Sequence, residues 1–258
     1  MTTLLHSRGL AVGFPGRILI ADADLRLNEG TMTGLIGLNG TGKSTLLRTL
    51  SGLHQPLSGS IHVGDRPLDR LSAMERARAI SMVLTDRPQV GWLDARTLVS
   101  LGRHPWTGHL GKVSATDHER INEAMERTGT VQWSDRGVHS LSDGELQKVL
   151  IARALAQEAP VMLLDEPTAF LDLVNRVSIL RLLHGITRTH GRAVLFSTHD
   201  LQTAMELCDM LVLVKDGRLW AGTPAEAITS GILAEAFSSE GLRFDPVTGA
   251  LRPTDREQ

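Results

Sequence analysis

The stretch GLNGTGKST, residues 37–45, decides the fold of this chain. It follows an apolar run that predicts a strand, Met32–Ile36, and it runs into a predicted helix, Ser44–Ser51. The spacing of its glycines and the final Gly-Lys-Ser match the phosphate-binding P-loop, in the strand-to-helix context that this loop requires. Only four of the 27 basic residues are lysines, and one of them lies here. The stretch therefore predicts a phosphate site on an α/β sheet.

The residue types of this loop suit a nucleotide. Glycines permit backbone angles that bring successive N–H groups onto the β-phosphate, and the following helix directs its positive end there. Lys43 is a compact charge that reaches between the β- and γ-phosphates, and Ser44 offers a hydroxyl to Mg²⁺. A glycine-rich turn with an incidental lysine is the alternative. The predicted nucleotide-binding residues of the loop are Asn39, Gly40, Thr41, Gly42, Lys43, Ser44 and Thr45.

Two further apolar runs end in polar residues, as expected where open α/β sheets bind ligands. Val161–Leu164 ends in Asp165 and Glu166. Asp165 is predicted to hold Mg²⁺, and Glu166 is predicted to orient or deprotonate the attacking water. A solvated turn is the alternative for this pair. The run 193–196 leads to His199, a candidate sensor of the γ-phosphate or a structural histidine. Both runs are continuously apolar, which is typical of a parallel sheet covered on both faces.

Composition narrows the class of protein. The chain of 258 residues allows one large domain, or a domain with a subdomain. Its net charge of −2 gives no electrostatic indication of nucleic-acid binding. The single cysteine, Cys208, fits a reducing compartment and is expected to be a buried apolar residue. No signal peptide is predicted, and the apolar runs fall far short of the roughly 20 residues that span a bilayer, so a soluble chain is expected.

The pattern along the chain predicts strands at the start, a mostly helical insertion, and then a resumed alternation of helices and strands. Residues 86–140 differ from the rest, with one helix from Asp94 to Arg103 and a second at Ser114–Thr128. Ser142–Gln157 opens with the spacing of a capping box, and Asp216-Gly217 predicts a hairpin turn. The remaining predicted strands are Leu10–Phe14, Ile18–Ile20, Ile61–Val63, Ile80–Leu84, Met210–Val214 and Arg218–Trp220.

The order of the motifs resembles the ATP-binding cassette (ABC) ATPases. After the P-loop come LSDGE at 141–145 (the signature segment), VMLLDEP at 161–167, AFLD at 169–172 and STHD at 197–200. The resemblance covers nearly the whole chain and implies an α/β P-loop NTPase core with an antiparallel β subdomain and a helical subdomain. It divides the chain into core and β subdomain (1–85 and 141–222), helical subdomain (86–140) and C-terminal segment (223–258).

The resemblance also implies a homodimer with ATP and Mg²⁺ as cofactors. Two ATP molecules would lie between the subunits, each held by one P-loop and the opposite signature segment. Asp172 resembles the residue that bridges the two sites, and Phe14 stands where the family places an aromatic ring on adenine. Strand-end packing is the alternative for Phe14, and helix capping for Ser142 and Glu145. The signature residues are Leu141, Ser142, Asp143, Gly144 and Glu145.

Two departures from the family pattern are visible. Asp143 and Glu145 replace the usual Gly and Gln, which places two carboxylates near a phosphate-binding helix end. Whether exposed or paired with protein groups, they need not repel ATP, but a weaker closure of the dimer is expected from them. Thr85 stands where the family ends its strand in a Gln that contacts Mg²⁺, so either a water bridges Thr85 to the metal or other groups couple the site. Gln89 is too far along the chain to substitute.

Three features are similar to ATPases of iron-siderophore, heme and cobalamin importers: SLGRHPWTG at 100–108, the Asp143 and Glu145 form of the signature segment, and PTAFLDLVNR at 167–176. The resemblance implies an ATPase peripheral at the cytoplasmic face of the membrane. It would energise a separate permease and act indirectly with a substrate-binding protein. Alternatives are another ABC transporter class, a soluble ABC protein of nucleic acid or repair, and a non-hydrolysing interaction subunit. One cassette without heptads argues against the second, and the intact Lys43, Asp165, Glu166 and His199 argue against the third.

Overall fold

The computed structural model describes residues 2–88, 90–108, 111–237, 242–245 and 250–253. Its strands are β1 (Thr3–Phe14), β2 (Arg17–Asn28), β3 (Met32–Gly37), β4 (Ser58–Val63), β5 (Arg66–Pro67), β6 (Ile80–Val83), β7 (Val161–Leu164), β8 (Ala193–Ser197), β9 (Met210–Lys215), β10 (Arg218–Gly222), β11 (Leu242–Asp245) and β12 (Ala250–Pro253). Its helices are α1 (Lys43–Leu50), α2 (Ala73–Ala79), α3 (Ala95–Ser100), α4 (Ala115–Thr128), α5 (Asp143–Ala156), α6 (Leu173–His190), α7 (Leu201–Leu207), α8 (Pro224–Thr229) and α9 (Ile232–Phe237).

The larger sheet has the order β10-β9-β3-β8-β7-β6. The pairs β9–β3, β3–β8, β8–β7 and β7–β6 are parallel, and the hairpin strand β10 closes the edge in the antiparallel direction. Because β3, β8 and β7 are neighbours with one direction, the residues that follow them meet at one edge of the sheet. That edge collects the P-loop, Asp165-Glu166 and His199.

The parallel sheet separates two hydrophobic cores. In β7, Met162 and Leu164 join the core that contains α3 to α6, whereas Val161 and Leu163 join the core of α1 and the antiparallel strands. All four side chains are fully buried. A strand with both faces covered needs apolar residues at every position, which explains the unbroken apolar runs of the sequence.

A smaller antiparallel sheet, in the order β2-β1-β4-β5, covers α1. Its β1–β2 hairpin reaches the P-loop, since a Cβ added at Gly42 would lie 3.0 Å from Leu19 Cβ. The backbone of Ala21 also donates to the carbonyl of Gly217 in the β9–β10 turn at 2.7 Å. The antiparallel sheet thereby places Phe14, at the end of β1, near the phosphate loop.

Helices α3 and α4 pack on α5 and are the two α-helices in the described part of residues 86–140. The predicted helix through Arg103 is wrong in its last turn: α3 ends at Ser100, and a 3₁₀ turn follows. The tighter turn lets Gly102 touch α5, where an added Cβ would lie 2.2 Å from the Arg153 carbonyl oxygen. Arg103 is buried there, and its Nε donates to Asp117 at 2.8 Å.

The α/β fold with a parallel sheet, an antiparallel sheet and helices confirms the predicted fold class. The predicted bounds of β7 agree with the structure, and those of α5 differ by one residue at each end. Helices α2 and α6 were not predicted from the sequence. The division into core, helical subdomain and C-terminal segment stays a prediction.

Candidate functional site

The phosphate loop joins β3 to α1 through three glycines with positive φ angles. Gly42 caps α1 with a φ of 101°, a conformation that side chains disfavour. Gly37 has a φ of 155°, and a Cβ there would lie 2.7 Å from the Val214 carbonyl oxygen. Thr41 closes the loop by donating its hydroxyl to the Leu38 carbonyl at 2.8 Å. These constraints turn the amide groups at the start of α1 toward one point, as an anion site requires.

Lys43 is folded back over this loop. Its Nζ donates to the carbonyl oxygens of Gly37 at 2.8 Å and Leu38 at 2.9 Å, and the residue is 5% exposed. Burial lowers the pKa of the Lys43 ammonium, and the nearby carboxylates of Glu166 and Asp165 act in the opposite direction. The ammonium therefore lies in the same electrostatic environment as the acidic strand end.

The acidic strand end is hydrogen-bonded to the phosphate loop. Ser44 Oγ donates to Asp165 Oδ1 at 2.9 Å, and Ser197 Oγ donates to the same oxygen at 2.8 Å. Asp165 is 2% exposed, so its carboxylate is fixed by these partners. Ser197, at the end of β8, was not singled out from the sequence. A buried serine in a strand has no spacing that would identify it.

Glu166 adopts a backbone conformation unusual for its residue type. Its φ is 46°, in the left-handed region, which costs about 1–3 kcal/mol for a residue with a side chain. Its backbone N–H donates to Ser197 Oγ at 2.8 Å. Ser197 therefore contacts both members of the acidic pair and holds the strained turn at the end of β7.

Thr85 lies at the same edge, directly beyond β6. Its Oγ1 donates to the backbone carbonyl of Asp165 at 2.8 Å. This bond ties the segment after β6 to the acidic strand end through the main chain, and the lone pairs of the hydroxyl stay available. Gln89 lies outside the described residues. His199 follows β8 by two residues and is exposed at this edge.

Phe14 lies at the end of the antiparallel hairpin with 48% of its surface exposed. The ring of His54 meets it edge-on, with the centroids 5.2 Å apart, and His54 Nε2 bonds the Gly13 carbonyl at 2.7 Å. Sequence reasoning missed His54. The arrangement supports one edge of the phenyl ring and leaves nearly half of its surface open, which suits a stacked base and also fits strand-end packing.

The signature segment forms the start of α5. Ser142 is the N-cap: its hydroxyl accepts from the Glu145 backbone, and the Glu145 carboxylate accepts from the Ser142 N–H at 2.9 Å. This hydrogen bond lowers the pKa of Glu145, and burial acts in the opposite direction. The guanidinium of Arg136, which pairs with the Glu145 carboxylate at 3.0 Å, also lowers that pKa. Arg87 pairs with Asp143 at 3.1 Å. Both unusual carboxylates are therefore paired with arginines that the sequence analysis did not single out.

Asp172 is the N-cap of α6. It accepts from the backbone N–H of Asn175 at 2.8 Å and from the Asn175 side-chain amide at 2.9 Å. A Cβ added at Gly144 would lie 3.0 Å from Asn175 Cγ, so the starts of α5 and α6 are in contact. The expected bridging residue thus lies beside the signature segment.

The structure brings the P-loop, Asp165 and Glu166 together in one place. Between the signature segment and the P-loop, the described residues form no hydrogen bond or ion pair. Ser44 and Asp165 offer one hydroxyl and one carboxylate oxygen, a donor set that fits Mg²⁺, which keeps most of its waters in nucleotide sites. Across the part of the chain that the structure describes, no helix is both long and apolar enough to cross a membrane.

Comparison with known proteins identifies the class to which this fold and site belong. The family model described as ABC transporter matches residues 20–169. The chain is 40% identical over 97% of its length to a cobalamin import ATP-binding protein of Halobacterium salinarum, of which it spans 63%. It is 33% identical to an iron(3+)-hydroxamate import ATP-binding protein of Bacillus subtilis, covering 95% of this chain and 91% of that protein.

A solved structure gives the same result for the fold. The cbiO1 protein of Clostridium perfringens, part of the ABC transporter complex cbiONQ, is similar with a TM-score of 0.79 and 27% identity. The alignment covers 93% of this chain and 96% of that one. The chain belongs to the ABC transporter family, and the family assignment made from its motifs is confirmed.

Proposed function

We propose that this chain is the ATP-binding and ATP-hydrolysing subunit of an ABC importer for an iron-chelate, heme or cobalamin type substrate. It works as a homodimer at the cytoplasmic face of the membrane and drives a separate permease, which receives its cargo from a substrate-binding protein. The names of the relatives, cobalamin import and iron(3+)-hydroxamate import, support the substrate class.

The observation that carries the proposal is the linked group of Lys43, Ser44, Asp165 and Glu166. Their loop and strand end meet through the Ser44–Asp165 hydrogen bond of 2.9 Å, and Lys43 lies in the field of both carboxylates. A phosphate-binding loop joined to an acidic pair is what transfer of a phosphoryl group to water needs. A binding module without turnover would need the loop alone.

Mg²⁺ fits this group through Ser44 and Asp165, and it would neutralise charge on the β- and γ-phosphates. Glu166 stands beside that position and is the candidate to orient or deprotonate the attacking water, a contribution of about 10²–10⁴-fold. Lys43 would exchange its two loop carbonyls for phosphate oxygens, and His199 would contact the γ-phosphate from the end of β8.

Dimerisation completes the site in this proposal. Ser142 and Gly144 lie at the positive end of α5, where the orphan N–H groups of a helix attract phosphate. The pairing of Asp143 with Arg87 and of Glu145 with Arg136 offsets their charge, so ATP need not be repelled. The exposed apolar residues Phe170 and Leu173 flank Asp172, which supports a partner surface there.

The test is ATP turnover and ATP-dependent association of purified Glu166→Gln and Lys43→Ala. We expect Glu166→Gln to bind ATP, lose at least about 100-fold in kcat and accumulate as an ATP-bound dimer in size-exclusion chromatography. Lys43→Ala should lose ATP affinity or turnover and stay monomeric with ATP. Glu119→Gln, on the exposed face of α4, is the matched control and should behave as the wild type.

Unchanged turnover in Glu166→Gln would remove Glu166 from its role as the water-activating residue. Full turnover in Lys43→Ala would refute the phosphate site itself.

A further inference from the structure

A second polar cavity lies on the opposite edge of the parallel sheet. Its volume is about 230 Å³, and its charged and imidazole lining residues are Arg120, Glu123, Arg127, Glu158, His190 and Arg192. Glu158 precedes β7 and Arg192 precedes β8, so the cavity is at the amino ends of these strands. The nucleotide site is at their carboxyl ends. The two sites are therefore separate.

The carboxylates of this cavity are already shared between arginines. Glu123 pairs with Arg120 at 3.0 Å and with Arg127 at 2.5 Å. Glu158 pairs with Arg103 at 2.6 Å and with Arg120 at 3.1 Å. Each carboxylate therefore has two guanidinium partners, and neither has an ion pair with Arg192.

Arg192 is a buried cation that forms no ion pair among the described residues, and the carboxylates of Glu158 and Glu123 act on it only from farther away. It is 8% exposed, and its Nη2 donates only to the Leu155 carbonyl at 3.2 Å. Its Nη1 is buried and has no hydrogen-bond partner. Burial lowers the pKa of this guanidinium to about 10. A buried N–H group without an acceptor is unfavourable, and a bound anion would supply the missing acceptor.

The surroundings of Arg192 leave positive charge in excess. Arg127 lies on the rim and contacts the ring of His190. Burial, and then Arg127, lower the pKa of His190, so the imidazole is neutral near pH 7. The cavity lining therefore carries one net positive charge, from three arginines (Arg120, Arg127 and Arg192) against two glutamates (Glu123 and Glu158).

We infer that this cavity binds a small oxyanion of the phosphate or sulfate type, held by Arg192 and Arg127. A planar guanidinium matches the oxygens of such an ion, and the orphaned Nη1 would gain an acceptor. One water takes about 30 Å³ of liquid volume, so a cavity of about 230 Å³ holds a tetrahedral ion with a few waters. It is too small to enclose a nucleotide.

The bound ion would join two parts of the molecule. Arg127 comes from α4, within residues 86–140, whereas Arg192 lies between α6 and β8 of the parallel-sheet core. An oxyanion held by both would stabilise the position of α4 on the core. This inference stands whether or not the chain drives an importer, because it uses none of the nucleotide-site residues.

Calorimetric titration of the full chain with inorganic phosphate tests the site, with ADP present in saturating amount to fill the P-loop. We expect Arg192→Met to weaken phosphate binding at least tenfold, and Arg127→Met to weaken it severalfold. Arg181→Met removes an exposed arginine of α6 outside the cavity and should leave binding unchanged. Selenate in crystals of the wild type should give an anomalous peak beside Arg192.

Thermal unfolding separates binding from a structural role. Phosphate should raise the Tm of the wild type and of Arg181→Met, and not that of Arg192→Met. The inference would be overturned if phosphate changed the Tm of Arg192→Met as much as that of the wild type. It would also be overturned if crystals at high selenate concentration showed only water in the cavity. If Arg192→Met does not fold, the same comparison rests on Arg127→Met.

A parallel titration with glycerol 3-phosphate distinguishes a free ion from a phosphate monoester. Binding of inorganic phosphate alone assigns the free ion, and binding of both assigns a site open to a monoester. Binding of neither refutes the site.

Discussion

At the scale of single residues, the candidate site depends on one carboxylate oxygen. Asp165 Oδ1 accepts hydroxyl hydrogens from Ser44 at 2.9 Å and from Ser197 at 2.8 Å. The same Ser197 oxygen accepts the backbone N–H of Glu166. Charged hydrogen bonds of this kind are about twice as strong as neutral ones, so Ser197 fixes the positions of both acidic residues.

Ser197→Ala should therefore reduce turnover more than nucleotide affinity. The variant loses the bond that orients Asp165 and the acceptor for the Glu166 N–H. We expect kcat to fall about 10-fold, with the KM for ATP changed less than about threefold. Steady-state ATPase kinetics at varied Mg²⁺ concentration measure both parameters.

Ser81→Ala is the matched control for this prediction. Ser81 is a fully buried serine of the neighbouring strand β6, and its hydroxyl bonds only the Val161 carbonyl, at 3.4 Å. It should lose a little stability and keep its kcat. Equal kcat values in the two variants would show that Ser197 has a packing role alone.

The sequence predicted the meeting of Ser44 and Asp165 across 121 positions, because the P-loop and the acidic pair each follow a strand of one parallel sheet. It did not predict Ser197 or His54, whose contacts depend on strand register and hairpin position. The arginines that pair with Asp143 and Glu145 were missed for the same reason, since Arg87 lies far from them in the chain.

At the scale of elements, a buried ion pair holds helix α4 to the 3₁₀ turn that follows α3. Arg103 Nε donates to Asp117 Oδ1 at 2.8 Å, and both side chains are less than a tenth exposed. Although burial acts to raise the pKa of Asp117, hydrogen bonds from Ser114 and Arg103 hold it down at about 2.

Asp117→Asn should destabilise the protein at neutral pH by about 3 kcal/mol, since it leaves Arg103 with a weakened buried partner. The folded-state pKa lies below the unfolded value, so this stabilisation is complete above about pH 4 and is lost as the pH falls toward 2. Urea unfolding from pH 7 to pH 3 should show the difference between variant and wild type narrowing below pH 4.

Glu119→Gln, exposed on the same helix, is the control and should have little effect at any pH. A difference for Asp117→Asn that stays constant down to pH 3 would contradict the assignment of the stabilisation to ionised Asp117.

Element prediction succeeded where local signals were complete. The capping-box spacing of Ser142 and Glu145 identified the start of α5, and that box is present. Apolar periodicity and a following glycine identified α4, which Gly129 caps. Helix α6 was missed because its first turn breaks the amphipathic pattern: Leu173 is 70% exposed and Val174 is 79% exposed. Exposed apolar residues in the first turn obscure the helical periodicity, and the partner surface proposed above would cover them.

At the scale of the whole molecule, the parallel sheet separates the nucleotide site from the proposed anion site. Its carboxyl edge holds the P-loop and acidic pair, and its amino edge holds the cavity around Arg192. The apolar strands and the motif order were sufficient to predict the fold class, whereas the order of the strands in the sheet comes from the structure. The cavity was not foreseen, because its arginines come from two segments far apart in the chain, α4 and the residue before β8, and share no motif.

The central claim is that this chain powers a separate membrane permease. Purification of the tagged chain from native membranes, followed by mass spectrometry of the co-purifying proteins, tests it most directly. We predict a polytopic permease that retains two copies of the chain, with ATPase activity that Glu166→Gln abolishes in the same complex. Recovery of the chain with only soluble or nucleic-acid partners would contradict the claim, and the chain would then be an ABC ATPase with a function other than transport.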